Sequence, residues 1–373
     1  MAQVKQPRAS DVVVVGGGPA GLATAIAARD LGLAVTVLER RQPPIDKACG
    51  EGLMPDGVRR LAALGVRLEP ERARPFRGIR YLDADLVAEA RFPAEPGLGI
   101  RRLELHRAMV ERAAKSGVDV FWGVTARGLT SEGVETDEGL FAARWIVGAD
   151  GLSSQVRQWA GLGEKRGRVG RFGVRRHFAV TPWTDLVEVY WASGCEAYVT
   201  PVSGQEVGVA LLWSGEKAGF DRHLENFPKL REQLAAATPT TRDRGAGPLA
   251  QGARVVCRGR VALVGDAAGY LDAITGEGLS LAFHQATALA AAIRCEDLGA
   301  YARQWRRLSA VPFAFIRALL VAERRPWLRR RLIRTLADEP ELFARLLAIH
   351  ARERPLRELG AVNAGRLLRG LLR

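Results

Sequence analysis

The chain has 373 residues, 47% of them hydrophobic and 26% charged, which suits two globular domains with an appendage rather than one compact core. Four widely spaced cysteines without a C-x-x-C pair argue against a disulfide framework or a zinc site, and the five histidines show no metal-ligand spacing. No apolar stretch has the length of a membrane span, and the first ten residues lack the apolar core of a signal peptide. We therefore expect a cytoplasmic protein without a metal site.

The net charge of +14 is concentrated near the C-terminus, where residues 301–373 contain 17 arginines against 6 acidic residues. A basic region of this kind binds an anionic membrane surface, an acidic partner or nucleic acid. Because arginine replaces lysine along the whole chain, the solvated face of ordinary helices explains the charge equally simply. We keep that interpretation and peripheral membrane contact open, and expect no nucleic acid.

A βαβ unit opens the chain. Residues 11–15 are apolar and β-branched, which is typical of a buried parallel strand. A glycine-rich turn follows, residues 22–31 form an alanine-rich helical stretch, and residues 34–38 predict a second strand that ends at Glu39.

Later segments predict further elements of the same kinds. They are helices over 102–116 and 278–293 and strands over 118–122, 143–147 and 260–264. Between about 165 and 213 the pattern changes to alternating, aromatic-rich strands, which predicts an antiparallel sheet in a second domain. From Tyr301 the sequence is amphipathic and helical, with breaks at three prolines, Pro326, Pro340 and Pro355.

The turn in the βαβ unit reads Gly16-Gly-Gly18-Pro-Ala-Gly21, a GxGxxG sequence. Glycines let the backbone turn tightly and approach a pyrophosphate, and the following helix N-terminus offers N–H groups to the phosphates. Glu39 is placed to accept hydrogen bonds from the ribose hydroxyls, which disfavours a 2′-phosphate. In this context the turn predicts bound FAD or NAD rather than NADP.

Two further segments place an aspartate after an apolar strand. Asp150 lies in Gly148-Ala-Asp-Gly151, ahead of Ser153 and Ser154, and Asp266 lies in Val264-Gly-Asp-Ala-Ala268, ahead of Thr275-Gly-Glu-Gly278. The strand ends of an open α/β sheet are where ligands bind. An aspartate can also cap the following helix, an alternative that suits Asp150 better than Asp266.

These three segments together resemble the flavoprotein superfamily of para-hydroxybenzoate hydroxylase and geranylgeranyl reductase over residues 11–300. The resemblance implies FAD as cofactor and an α/β fold of the glutathione-reductase type. Its parts are a Rossmann-like FAD-binding domain (1–75, 101–164 and 255–300), an inserted antiparallel-sheet substrate domain (76–100 and 165–254) and a basic helical C-terminal region (301–373).

The resemblance also implies roles for particular residues. Asp266 would hold the ribityl chain, Gly276 and Gly278 would face the flavin N1–C2=O edge, and Arg102 would reach the phosphate or ribityl region. The implied cofactor-binding set is Gly16, Gly18, Pro19, Ala20, Gly21, Glu39, Arg40, Gly50, Arg102, Asp150, Gly151, Gly265, Asp266, Gly276, Gly278 and Leu279. The implied catalytic residues are Cys49 and Tyr198.

Within the superfamily, Gly269-Tyr-Leu-Asp-Ala273 and Lys47-Ala-Cys-Gly-Glu-Gly-Leu-Met-Pro55 resemble reductases and related halogenases, although the tryptophan-rich halogenase motif is absent. Cys49 is either a proton donor in alkene reduction or a small loop residue beside the cofactor. Glu51 is either an acid near the flavin or a solvated loop residue, and we expect His177 to be an ordinary strand residue rather than a catalytic base. The aromatic strands either line an apolar cavity over the flavin or fill the core of the sheet.

Three functions follow. The leading one is a monooxygenase that oxygenates a lipophilic or polyketide-like molecule of secondary metabolism, with NAD(P)H or a partner reductase supplying electrons. Its rival is reduction of isoprenoid double bonds. The third is a non-catalytic or partner-dependent FAD-binding protein, docked on a carrier protein or, through residues 301–373, on an anionic membrane.

Overall fold

The structure is a computed structural model that describes residues 10–163, 170–215 and 218–372. In chain order, the strands of these residues are β1 (Ser10–Val15), β2 (Val35–Glu39), β3 (Gly52–Leu53), β4 (Ala73–Phe76), β5 (Gly78–Asp83), β6 (Leu86–Arg91), β7 (Gly97–Ile100), β8 (Asp119–Trp122), β9 (Ala126–Leu129), β10 (Gly133–Thr136), β11 (Gly139–Gly148), β12 (Arg171–Ala179), β13 (Val187–Ala192), β14 (Cys195–Ser203), β15 (Glu206–Ser214), β16 (Thr238–Pro239), β17 (Arg244–Ala246), β18 (Cys257–Arg258) and β19 (Val261–Leu263). The helices are α1 (Pro19–Asp30), α2 (Pro55–Ala63), α3 (Arg102–Lys115), α4 (Gln155–Trp159), α5 (Phe220–Leu224), α6 (Pro228–Leu234), α7 (Gly278–Arg294), α8 (Leu298–Glu323), α9 (Pro326–Asp338), α10 (Pro340–His350) and α11 (Gly360–Leu372).

The first sheet has the strand order β18-β19-β11-β1-β2-β8, and the hairpin partners β9 and β10 extend it from β11. Strand β1 runs parallel to both β2 and β11, and β11 runs parallel to β19. The side chains of Val12, Val13 and Val14 are fully buried, because helices cover the sheet. The carboxyl ends of these parallel strands therefore meet at one edge, where the predicted motifs follow them.

The second sheet is built mainly from antiparallel pairs, in the order β16-β12-β15-β14-β13-β5-β6, with β17 also paired to β12. Strands β12 to β15 form a continuous antiparallel set, as the alternating pattern predicts. The beginning of that predicted stretch, 165–169, lies outside the described residues. Strand β7 does not join this sheet but pairs with β3 and β4 in a small third sheet.

The C-terminal helices pack back onto the second sheet, where α9 and α10 contact β6. Arg329 of α9 is buried and forms an ion pair with Asp83 of β5, with Nε 2.9 Å from Oδ2. A buried, paired guanidinium joins the helices to the sheet, so the solvated-face interpretation is wrong for this arginine.

Several predicted elements are displaced at their ends. Helix α1 begins at Pro19 rather than Leu22, since proline at the first position needs no hydrogen-bond acceptor. Strand β11 begins at Gly139, four residues early, because its first half pairs with β10 in a hairpin. Helix α8 continues through Pro312 up to Glu323. Across the described ranges no helix combines the length and apolar character needed to cross a bilayer.

Candidate functional site

A cavity of about 1250 Å³ runs from the strand ends of the first sheet, past the second sheet, to the C-terminal helices. Almost all of the predicted site residues line it, while Gly21 lies behind the lining. Those on the cavity wall are Gly16, Gly18, Pro19, Ala20, Glu39, Arg40, Cys49, Gly50, Arg102, Asp150, Gly151, Tyr198, Gly265, Asp266, Gly276, Gly278 and Leu279. The fold thus brings the three motifs to one site, and the individual roles toward a ligand stay predictions.

The two ends of the glycine turn differ in how closely other protein atoms approach them. A Cβ on Gly21 would lie 1.9 Å from the carbonyl oxygen of Gly16, so only glycine allows this contact between helix and strand end. A Cβ on Gly18 would meet no protein atom within 4 Å, although Gly18 caps α1 and lines the cavity. The space in front of Gly18 and the helix N-terminus suits a diphosphate.

Glu39 is held at the end of β2 by two backbone donors. Its carboxylate accepts hydrogen bonds from the amides of Gly17, at 2.8 Å, and Arg41, at 3.0 Å. A carboxylate has about four lone-pair sites, so it can still accept from a ribose. The predicted ribose contact is compatible with this geometry.

Asp150 serves as a helix cap, as the alternative interpretation proposed. Its Oδ2 accepts from the amides of Gln155 and Val156 at 2.7 and 3.1 Å, and Ser154 caps the same helix through Arg157 N. Its other oxygen, Oδ1, is buried and has no hydrogen-bond partner among the described residues. Helix capping therefore explains the role of Oδ2, and Oδ1 remains available to a ligand.

Asp266 lies in a single 3₁₀ turn after β19 and forms an ion pair of 2.8 Å with Lys47. This pair joins the third motif to the loop that carries Cys49. Both side chains line the cavity and are partly exposed to it. Lys47 is a site residue that sequence reasoning passed over, although it lies in the quoted cysteine segment.

FAD fits these residues on three counts. Among the cavity residues with a buried polar atom that has no hydrogen-bond partner in the described part of the chain are Asp150, through Oδ1, and Arg102, through Nε. The open space at Gly18 and the N-terminus of α1, which has no side-chain cap, suit the diphosphate. Helix α7 likewise starts without a side-chain cap, and Gly276 and Gly278 lie on the cavity wall at that end.

A buried charged network lies behind the cysteine loop. The carboxylate of Glu51 bonds to His177 Nε2 and accepts from the backbone amide of Arg102 at 2.8 Å. Arg175 contacts His177 Nδ1 at 3.0 Å and pairs with Asp46. Glu51 is only 3% exposed, so its interpretation as a solvated loop residue is wrong, because His177 and the Arg102 amide hold its carboxylate inside.

His177 lies in β12, as predicted, and its side chain belongs to this network rather than to the cavity wall. The network itself was missed. The sequence pattern that could have revealed the network is the spacing of Arg171, Arg175 and His177, which places all three on the same face of β12. This spacing indicates that the buried face is polar rather than apolar.

Both predicted catalytic residues, Cys49 and Tyr198, line the cavity. Cys49 Sγ accepts a weak hydrogen bond of 3.4 Å from the amide of Glu51, which orients the thiol. The Tyr198 hydroxyl donates to the carbonyl of Ile274 at 3.0 Å, and burial raises its pKa well above its usual value. A phenol with such a pKa keeps its proton, so the geometry favours Tyr198 as a positioning residue for the loop before α7.

His350 holds that same loop from the other side. Its Nε2 lies 2.9 Å from the carbonyl oxygen of Thr275, and its Nδ1 lies 3.3 Å from Glu277. His350 ends α10, so the C-terminal region reaches the segment predicted to face the flavin edge. Sequence reasoning missed this contact because no local pattern links residues so far apart in the chain.

Four charged side chains form a second buried network, called here the Arg171 cluster (Arg171, Glu196, Asp272 and Glu323). Arg171 lies 2.6 Å from Glu196, 2.8 Å from Asp272 and 3.5 Å from Glu323. Burial raises the pKa of Glu196 to about 7, against the opposing attraction of Arg171, and raises the pKa of Asp272. The cluster joins β12, β14, the loop before α7, and α8.

Of the two alternatives for the aromatic strand residues, the structure places most of them in the core of the sheet rather than on the cavity wall. Of the six aromatic residues in this stretch that belong to its strands, Tyr198 lines the cavity, whereas Phe172, Phe178, Tyr190, Trp191 and Trp213 pack in the cores on the two sides of the sheet. The far end of the cavity is mostly aliphatic instead. Its wall there consists of Ile79, Val187, Val189, Ala318, Leu319, Leu328, Leu332, Leu336, Leu346, Leu347, Leu367 and Leu371, together with Phe76, Tyr81, Phe315 and Phe343.

Known proteins share this architecture. A family model described as an FAD binding domain matches residues 9–300. Digeranylgeranylglycerophospholipid reductase 1 from Methanococcoides burtonii is 28% identical over 333 residues, which cover 79% of each chain. 6-Methylpretetramide 4-monooxygenase from Streptomyces rimosus is 30% identical over 326 residues, which cover 78% of this chain and 76% of the other.

A solved structure of a flavoprotein/dehydrogenase from Cytophaga hutchinsonii superposes with a TM-score of 0.80 at 18% identity, covering 97% of this chain and 96% of that one. These comparisons confirm the predicted fold class and the predicted cofactor, FAD.

Proposed function

Since the chain belongs to the FAD binding domain family of oxidoreductases, we propose that it reduces carbon–carbon double bonds of a long isoprenoid-like molecule. The sequence ranks monooxygenation first, and the shape of the cavity supports the alternative better. The digeranylgeranylglycerophospholipid reductase named above makes an isoprenoid lipid a concrete first candidate for the substrate.

The observation that carries this proposal is the aliphatic far end of the cavity. Leu328, Leu332 and Leu336 follow one another at helical spacing on α9 and face the same space as Leu367 and Leu371 of α11. A compact aromatic substrate would leave this leucine-lined space unfilled, whereas a flexible hydrocarbon chain fills it. Burial of each methylene contributes about 0.8 kcal/mol, so chain length itself would provide affinity.

The residues that would hold FAD lie along the near half of the cavity. The turn ending at Gly18 would bind the diphosphate, Glu39 the ribose and Asp266 the ribityl chain. When bound and reduced, FAD supplies two electrons and one proton to an acceptor.

Cys49 is the residue that would complete the reduction. Saturating one double bond takes two electrons and two protons, and the thiol would donate the second proton to carbon and regain one from solvent. Its Sγ lies at the cavity wall, held by the Glu51 amide. Tyr198 and His350 would keep the loop before α7 in place from opposite sides.

The electrons would come from NAD(P)H, or from a partner reductase. The sequence holds a single GxGxxG turn in a βαβ unit, so a nicotinamide nucleotide would dock transiently beside the first cofactor.

Oxygenation of a polyketide-like molecule is the second candidate. The 30% identity with 6-methylpretetramide 4-monooxygenase favours it. It would use the same FAD site and place the acceptor carbon at the same wall, without need of a proton from Cys49.

One experiment separates the two. The FAD-loaded protein is supplied with reductant and a geranylgeranyl lipid, with and without O₂, and the product masses are measured. Two added hydrogens per double bond without O₂ support the proposal. An added oxygen atom that requires O₂, or unchanged lipid in both atmospheres, contradicts it.

A further inference from the structure

The outer side of α11 is apolar next to the stripe that lines the cavity. Leu367 and Leu371 face the cavity, whereas Leu368 and Leu372 are 60% and 79% exposed. Successive helical residues are rotated by about 100°, so two leucine stripes run side by side, one facing inward and one facing outward. Exposed leucines in such a row mark an interaction surface rather than chance exposure.

Helix α9 brings an aromatic side chain to the same place. Trp327 is 56% exposed and lies under the guanidinium of Arg331, which in turn donates to the carbonyl of Leu371 at 3.2 Å. A Cβ on Gly370 would lie 2.2 Å from Thr335 Oγ1, so the two helices are in close contact here. Trp327 therefore lies beside the last turn of α11.

Several arginines on these helices have no acidic partner in the described part of the chain. Arg317, Arg324, Arg325 and Arg369 are exposed, and none forms a salt bridge with a carboxylate of the described residues. Between residues 314 and 334 the sequence has one acidic residue, the buried Glu323, and between 360 and 373 it has none. The apolar side chains are thus bordered by uncompensated positive charge.

The cavity reaches this surface. Ala318 of α8 is exposed and also lines the cavity, one helical turn from the exposed Val321. Leu371 of α11 lines it from the other side. A hydrocarbon chain in the leucine-lined end would therefore lie next to these exposed residues.

We propose that these residues form a docking face for an anionic lipid bilayer and that the hydrocarbon substrate enters the cavity from the bilayer. The docking face comprises Val321, Trp327, Leu368 and Leu372 with Arg317, Arg324, Arg325 and Arg369. The entry route rests on the proposed function, whereas the docking does not. Leucine and tryptophan inserted at the lipid boundary beside arginines at the headgroups are the combination that binds anionic membrane surfaces.

The test measures binding of the FAD-loaded full chain to vesicles of phosphatidylcholine, alone or mixed with phosphatidylglycerol. We expect binding to the anionic vesicles that weakens with salt. Trp327→Ser with Leu368→Ser and Leu372→Ser should weaken it about tenfold or more, and Arg324→Gln with Arg325→Gln and Arg369→Gln should abolish the preference for phosphatidylglycerol.

Matched controls lie elsewhere on the surface. Leu31 and Val255 are exposed apolar residues, 44% and 43% exposed, and Arg67 and Arg294 are exposed arginines. Leu31→Ser with Val255→Ser, and Arg67→Gln with Arg294→Gln, should leave vesicle binding unchanged.

The two proposals fail separately. Docking variants should still turn over lipid presented in detergent and lose turnover of the same lipid in vesicles. Vesicle binding without any lipid reduction would contradict the proposed function and would not contradict the docking proposal. Wild-type protein that ignores anionic vesicles, or that buries this face in a dimer dissociated by the leucine variants, would overturn the docking proposal.

Discussion

The Arg171 cluster should make the folded protein lose stability as pH rises toward neutrality. Burial raises the pKa of Glu196 from 4.5 to about 7, while the same carboxyl in the unfolded chain titrates near its ordinary value. Between these pH values the folded chain keeps a proton that the unfolded chain has released. Stability is therefore highest below the unfolded pKa, falls through this window and is constant above the folded pKa.

The magnitude follows from the size of the shift. One unit of pKa is worth about 1.4 kcal/mol, so the full shift of Glu196 amounts to about 3 kcal/mol of unfolding free energy. Glu196→Gln removes this ionisation and leaves an amide oxygen for the Arg171 contact at 2.6 Å. Between about pH 5 and 8 the variant should therefore lose less stability than the wild type, by roughly 2–3 kcal/mol.

Urea unfolding of both proteins across this pH range, followed by tryptophan fluorescence at saturating FAD, measures the difference. The exposed Glu111 offers a matched control, and Glu111→Gln should keep the wild-type pH dependence. Parallel pH curves for wild type and Glu196→Gln would refute the reasoning, because they would mean that Glu196 titrates alike in both states.

Three further outcomes follow. Gly18→Ala should fold like the wild type, since its Cβ meets no protein atom, and it should bind FAD more weakly, because the Cβ enters the space that suits the diphosphate. Gly21→Ala should unfold at a lower temperature, because its Cβ would lie 1.9 Å from the carbonyl oxygen of Gly16. Equal melting temperatures of the two variants would contradict this. Arg329→Ala leaves Asp83 buried and unpaired and should cost about 3–5 kcal/mol in urea unfolding, against less than about 1 kcal/mol for Arg330→Ala, whose partner Asp85 is exposed; similar losses would count against the buried link. Cys49→Ser should slow anaerobic lipid reduction about tenfold or more with unchanged FAD affinity, and unchanged turnover would remove Cys49 as proton donor.

The cofactor half of the site was predictable because its signals are local. The glycine turn, Glu39 at a strand end and the two aspartates each follow a buried strand within a few residues, and parallel strands necessarily bring their carboxyl ends together. The backbone of the parallel sheet therefore brings these motifs together, and each motif can be recognised from a short stretch of sequence.

The rest depends on contacts between distant segments. Glu51 and His177 are 126 positions apart, and Arg171 meets Asp272 across 101, so no periodicity reports either pair. The sequence left two locations open for the aromatic strand residues, because alternation shows only that a face is buried and not what covers it. The leucines of α9 and α11 that line the far end looked like ordinary amphipathic helix faces.

The most direct test of the account is a single-turnover measurement without O₂. The FAD-loaded protein is reduced stoichiometrically, mixed with a geranylgeranyl lipid, and followed by the absorbance of oxidised flavin. The account predicts that this absorbance returns at a rate set by lipid concentration, with one saturated double bond formed per FAD. Absorbance that stays low until O₂ is admitted, with the lipid unsaturated throughout, would contradict it.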